Sequence, residues 1–376
     1  MVIMRILFIM SHDTRVKKLG SEIFAENLAR QVSLIDGCEV HIIRGFSERN
    51  STDTDGTLIY HNFKTINIPF IRSYYFLLKA KKRMEKLELQ DIFEWKILIG
   101  GGVGFIARKI KQGNIAFYPS DFARVEYNYT KGANNSFMNY FFFKILERGE
   151  KVAISHSNLV ILTTLHQLSE FSRIWPTESR LGIVLPLGIS PEWFNTEVNR
   201  DNYEGNSSFI FIGAGKRRLM PLFINCLQEL GKKGYHVTGI IVRESKDKVM
   251  QLVNTNQINI KVYNNINNET MMELYRQSIA LVVPSIREGF CLPIVEAGSQ
   301  WVPTIASDLP QFHDIIEDYK SGILIEGYQL EQWTAIMEKL IVDKTMLSTL
   351  RQGVRRKVEA FNLYNIGKSL YEELGK

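Results

Sequence analysis

Six short apolar runs recur through the second half of this chain, at 208–212, 236–242, 258–263, 279–283, 304–307 and 322–325, with stretches of helical spacing and turn residues between them. Runs of this length, apolar on both faces, suit strands that are covered on both sides. The segments between them are long enough for crossover helices, so the pattern predicts an α/β fold on a parallel sheet. The chain opens the same way, with an apolar run at 4–10, a polar stretch, a helix-period segment at 22–34 and a strand ending at Arg44. Further strands are expected at 95–99, 115–118, 159–162 and 182–185, and helix dominates from Glu331 onward.

A length of 376 residues exceeds one ordinary core and suits two doubly wound domains. The turn-rich, polar stretch 191–206 reads as the linker. It divides a first domain, 1–190, from a second, 207–360, with a last helix over 361–376 expected to cross back to the first. Cys38, Cys226 and Cys291 are far apart and lack metal-ligand spacing, which predicts a reducing compartment and no structural zinc. Arg5 interrupts the first apolar run, which therefore reads as a strand and not a leader. The later apolar runs fall short of the ~18 residues of a membrane span. A cytoplasmic protein, at most peripheral at the inner face of the plasma membrane, is expected. Residues 1–190 hold 25 Lys+Arg against 18 Asp+Glu, a net of +7; the remainder holds 21 against 22, a net of −1.

The stretch PSIREGFCLPIVEA, 284–297, places Glu288 and Glu296 around the start of an expected helix near Leu292. Ligands of doubly wound sheets bind beyond the carboxyl ends of the strands. A helix start there offers free N–H groups and partial positive charge to a diphosphate, and Pro293 fits the first turn. Two carboxylates beside a phosphate site make sense if each accepts hydrogen bonds from hydroxyls, as on ribose and on a hexose.

These residues resemble the E-x7-E motif of retaining GT-B glycosyltransferases of family 4, the group 1 transferases. ELYRQSIALVVPS, VPTIASDLPQFHDIIEDYKSGILIEG and IVLPLGISPEWF agree in order and spacing. The resemblance covers the second half nearly end to end; in the first half it is looser, resting on MRILFIM, LGSE and the strand–helix order. It implies GT-B architecture, two Rossmann-like domains facing a central cleft, with the nucleotide-sugar on the second and the acceptor on the first. It also implies that Glu288 approaches the donor sugar, that Glu296 holds the ribose, and that the backbone of Gly289, Phe290, Cys291 and Leu292 lies against the donor. The family usually has glycine where this chain has Cys291. Lys216, Arg217 and Arg218 match in kind the basic pair that neutralises the leaving diphosphate, although a solvated turn is as good a reading for any one of them.

Weaker signals lie in the first half. Gly20 and Ser21, with Glu22 at the helix mouth, sit where relatives place a glycine-rich loop against donor phosphates or acceptor; a plain cap by Ser21 reads equally well. Asp121 sits near an acceptor-binding His or Asp of relatives and could receive the acceptor's proton. GGGVGFIA imitates a dinucleotide fingerprint but lies in a later unit, and reads as letting a helix N-terminus approach the cleft. Asp53-Thr54-Asp55 imitates a metal-binding DxD but reads as an exposed loop. The helix 73–89 interleaves aromatics with Lys79, Lys81, Lys82, Arg83 and Lys86, a face for anionic lipid or an ordinary solvated one. No recognised module points to nucleic acid.

The expectation is a retaining, metal-independent glycosyltransferase without a cofactor. It would move a sugar from a nucleotide-diphosphate donor to a glycan or lipid-linked acceptor in cell-surface polysaccharide synthesis. The alternatives are a non-catalytic sugar-nucleotide-binding protein on a degenerate GT-B scaffold, or another GT-B enzyme such as a nucleotide-sugar 2-epimerase.

Overall fold

The computed structural model describes residues 3–12, 20–47, 49–64, 71–88, 93–119, 122–130, 137–195, 207–213, 215 and 217–376, the side chains of 20, 21, 71–74, 126, 128–130 and 137–139 excepted. Lys216, Asp121 and most of the expected linker, 196–206, lie outside the described residues. The chain forms two compact units, one of 1–187 with 363–376 and one of 188–362.

The first unit runs β1 (Met4–Met10), α1 (Gly20–Val32), β2 (Cys38–Arg44), β3 (Ser51–Asp55), β4 (Leu58–Asn62), α2 (Ile71–Glu88), β5 (Trp95–Ile99), β6 (Asn114–Tyr118), α3 (Ala123–Thr130), α4 (Phe137–Ile154), β7 (Leu159–Leu162), α5 (Leu165–Ile174) and β8 (Gly182–Val184). Among the described residues its sheet has the order β3-β4-β2-β1-β5-β6-β7-β8, parallel except for the β3–β4 hairpin. The order reverses at β1, which pairs with β2 on one side and β5 on the other. Helix α1 buries Phe24, Ala25, Leu28, Ala29 and Val32, the stripe its spacing dictates, against the apolar residues of β1 and β2.

The second unit runs β9 (Ser208–Ile212), α6 (Met220–Lys232), β10 (Val237–Val242), α7 (Lys246–Met250), β11 (Ile258–Tyr263), α8 (Asn268–Arg276), β12 (Ala280–Val283), α9 (Leu292–Ser299), β13 (Thr304–Ser307), β14 (Gly322–Ile325), α10 (Leu330–Val342) and α11 (Lys344–Val358). Its described sheet is parallel throughout, in the order β11-β10-β9-β12-β13-β14, and reverses at β9. The last helix, α12 (Leu363–Leu374), packs in the first unit. Its buried stripe of Leu363, Ile366, Leu370 and Leu374 joins the α1 side of that core, and Trp95 Nε1 donates to Leu374 O at 2.7 Å. Four such side chains are worth on the order of 6–12 kcal/mol of transfer free energy before entropy.

Two local readings change. The Asp53–Asp55 segment is edge strand β3 and not a loop: its residues alternate faces, and Gly56, at φ +61°, closes the turn to β4. Asp53 accepts from Ser51 and Asn62, and Asp55 pairs with Arg30 at 2.7 Å. The GGGVG glycines serve close packing against α4. A Cβ on Gly104 would lie 2.2 Å from Gly149 O, and one on Gly101 would lie 3.0 Å from the Glu150 side chain. Gly104 opens a short 3₁₀ turn.

Candidate functional site

The site of the second unit is assembled from two loops at the carboxyl edge of its sheet. The loop leaving β9 and the loop leaving β12 are stitched together by Leu219 N donating to Pro284 O at 2.8 Å and Ile286 N donating to Arg217 O at 2.9 Å. Arg218 and Ser285 face one another across this pairing. That register carries Arg218 to Glu288: Nε donates to Oε1 at 2.6 Å, with each side chain only 5% exposed. Ser285 Oγ donates to the same oxygen at 3.0 Å. Arg218 also donates to Ile212 O at 2.7 Å and to Cys291 Sγ at 3.2 Å.

A buried carboxylate needs a partner of this kind, because desolvating an unpaired charge costs several kcal/mol. Of the expected basic trio, Arg218 is thus engaged within the protein, whereas Arg217 is exposed.

Cys291 caps α9 in the left-handed region, at φ 77° and ψ 68°. A side chain there is strained, which is why glycine suits the position. Burial pushes its thiol up to about 12 against the opposing Arg218 charge, and so favours the protonated form. The amides of Gly289, Phe290, Cys291 and Leu292 donate to no backbone carbonyl among the described residues. These four N–H groups meet the start of α9, where the helix dipole adds positive potential.

Glu296 sits in the second turn of α9 and is partly accessible. Tyr275 of α8, itself fully buried, donates to its Oε2 at 2.9 Å. Burial raises the Glu296 pKa, and the Tyr275 bond and nearby positive charge oppose the rise. One of those charges is Arg243, which the sequence reading passed over. It is exposed, directly follows β10 and has φ 64°. Its signal was a cation immediately past a strand's carboxyl end.

The first unit offers a second group that the sequence reading missed. Ser11 and His12 directly follow β1, where the strand order reverses. Ser11 Oγ lies 2.7 Å from His12 Nδ1 and 3.3 Å from Glu22 Oε1, and the ring stacks on Phe46 at 4.6 Å. If Ser11 donates to Glu22, it accepts from Nδ1–H, leaving Nε2 as the basic nitrogen. Gly20 opens α1 in this region; its neighbour Ser21 has no described side chain. The structure therefore gathers Arg217, Arg218, Glu288, Gly289, Phe290, Cys291, Leu292 and Glu296 in one place, and Gly20 and Ser21 in the other unit.

Two parallel-sheet units of this topology are the GT-B architecture of glycosyltransferases, and solved structures share it. The sucrose-phosphate synthase of Thermosynechococcus elongatus superposes with a TM-score of 0.80 at 15% identity, covering 99% of each chain. Anabaena HepE in complex with UDP-glucose gives a TM-score of 0.71 at 14% identity, also covering 99% of each. In sequence, residues 227–357 match the family model "Glycosyl transferases group 1", a span that takes in Glu288 and Glu296. The D-inositol 3-phosphate glycosyltransferase of Rhodococcus erythropolis is 30% identical over 108 residues, 29% of this chain and 24% of that protein. The chain thus spans about a quarter of the length of this curated relative. Among the described residues no helix is long and apolar enough to cross a membrane.

Proposed function

We propose that the protein is a retaining, metal-independent glycosyltransferase that takes a sugar from a nucleoside-diphosphate donor to a glycan or lipid-linked glycan in cell-surface polysaccharide synthesis. The observation that carries this reading is the second unit's site. Four amides at a helix start, without a hydrogen-bond partner among the described residues, lie between Glu288, oriented by Arg218 and Ser285, and Glu296, oriented by Tyr275. The family-model match over the same residues and the UDP-glucose complex of a protein of this fold support it.

The bond between the sugar's anomeric carbon and the diphosphate oxygen breaks, and its electron pair leaves with the diphosphate. The acceptor oxygen bonds to that carbon and gives up its proton. Charge that accumulates on the leaving oxygen is met by the α9 amides and by Arg217 and Lys216. Arg218 acts through Glu288, holding its carboxylate in place toward the sugar hydroxyls. Glu296 accepts from the ribose. His12, through Nε2, and Asp121 are the acceptor-side candidates for the proton.

The test is nucleotide release from UDP-sugars without added acceptor, beside transfer to cell-envelope glycans. Release by the wild type that is lost in Glu288→Gln supports the reading. Nucleotide binding with neither release nor transfer marks the non-catalytic alternative, which the non-glycine Cys291 favours.

A further inference from the structure

We propose that a basic cleft on the outer edge of the first unit is a binding site for a phosphoryl group, that of a phosphomonoester or diphosphate. The cleft, of about 390 Å³, lies between α2 and the β3–β4 hairpin, lined among others by Lys79, Lys82, Arg83, Lys86, Thr52 and Asn62. Its size falls in the ~300–1,000 Å³ range of small-molecule sites. The proposal does not rest on the transferase reading, whose donor site lies in the other unit and whose described acceptor-side candidate, His12, does not line this cleft.

The cations line one cleft because they stand at positions i, i+3, i+4 and i+7 of one helix, a single face. Arg83 is anchored: its Nη2 donates to Thr52 Oγ1 and, at 2.9 Å, to His61 Nδ1. That bond sets a chain of tautomers. His61 Nδ1 must accept, so His61 Nε2–H donates to His41 Nδ1 at 2.9 Å, and His41 Nε2–H donates to Glu39 at 2.9 Å. Arg83 is thereby fixed by neutral partners that leave its charge uncancelled, since the Glu39 carboxylate is two rings away and is also held by Arg5.

Lys82 and Lys86 have no ion-pair or hydrogen-bond partner among the described residues, and Lys79 rests over the Tyr75 ring at 5.3 Å. The helix's own Lys81–Glu85 pair does not line the cleft. Asp53, whose carboxylate is held by Ser51 and Asn62, is the acid bonded to the lining. Four cations with no acid among the described lining residues call for more charge than one carboxylate brings. The planar fork of an arginine among lysines matches phosphate oxygens.

The experiment uses the full chain and the double variant Lys82→Gln/Lys86→Gln, whose exposed side chains have no hydrogen-bond or ion-pair partner among the described residues. Glycerol 3-phosphate is titrated calorimetrically at low salt. In parallel, phosphatidylcholine vesicles carrying phosphatidic acid or phosphatidylserine, at matched surface charge, are tested by co-sedimentation. Binding of glycerol 3-phosphate that weakens roughly tenfold or more in the variant supports the site and makes the source a soluble phosphate. Preference for phosphatidic acid over phosphatidylserine, lost in the variant, supports it with a lipid headgroup as the source. The proposal is overturned if neither probe binds, if the variant binds as well as wild type, or if the two anionic vesicles bind equally without any response to glycerol 3-phosphate. UDP binding by the variant checks separately that the second unit and its site are intact.

Discussion

Arg218 and Glu288 stand seventy residues apart in sequence and 2.6 Å apart in the fold, each almost wholly removed from solvent. Removing the arginine strands a buried carboxylate. Arg218→Leu is expected to lower unfolding free energy by about 3–5 kcal/mol. Glu288→Gln, which still accepts from Arg218, should cost less in stability while abolishing transfer. Denaturant unfolding of both variants, beside activity, checks the pair. Equal stability of Arg218→Leu and wild type would falsify its structural half.

The left-handed Cys291 makes a contrast between two small residues informative. Cys291→Gly and Cys291→Ala both remove the sulfur that Arg218 touches, but only glycine adopts φ 77° without strain. The glycine variant should be the more stable of the two by about 1–2 kcal/mol. Matching melting temperatures would remove backbone strain from the account.

Glu296 is expected to hold the ribose. Its loss in Glu296→Ala should weaken UDP binding by about 1–3 kcal/mol, and Tyr275→Phe, which frees the carboxylate from its hydrogen bond, should weaken it less. Calorimetric titration with UDP decides; unchanged affinity in Glu296→Ala would remove the ribose role.

Transfer is expected to survive EDTA, because amides and guanidinium groups supply the positive potential. Activity abolished by chelation and restored by manganese would overturn the metal-independent mechanism.

His61 gives a pH signature to the first unit. Burial foremost, then the neighbouring Arg83 charge, drop its pKa from 6.5 to about 3. The unfolded chain takes up a proton as pH falls through 6.5, whereas the folded chain does not until about 3. His61 therefore stabilises the fold fully above that window and progressively less within it, by about 1.4 kcal/mol per pH unit. His61→Gln, which donates and accepts in the same places without titrating, should flatten the slope of unfolding free energy against pH between 6 and 4.

Most strands of the second unit were legible in sequence because they are short apolar runs buried on both faces; the edge strand β11, Ile258–Tyr263, shows instead as an alternation of half-buried and exposed residues. That Glu288 precedes α9 and Glu296 lies in its second turn could be read from the sequence because the helix start is written locally, in a Gly-Phe-Cys-Leu-Pro turn. The β3 strand was not legible, since an edge strand such as Ser51–Asp55 can be polar throughout: its order comes from hydrogen bonds to β4. GGGVG misled for a related reason. A glycine pattern records that something comes close, and only the fold shows that the something is Gly149 and not a phosphate.

Sequence alone thus determined the alternation of strand and helix, the chemistry available at the end of β12 and the basic stripe along α2. These depend on neighbours within a few residues, whose spacing and type set local structure. Tertiary structure decided which arginine is spent on Glu288, that Tyr275 holds Glu296, that His12 meets Glu22, and that Arg83 is pinned by a histidine chain running back to Glu39. Apart from the His41–Glu39 link, each of those pairings joins residues ten or more positions apart in the chain. Partners of that kind are selected by strand order and register, which no local pattern encodes.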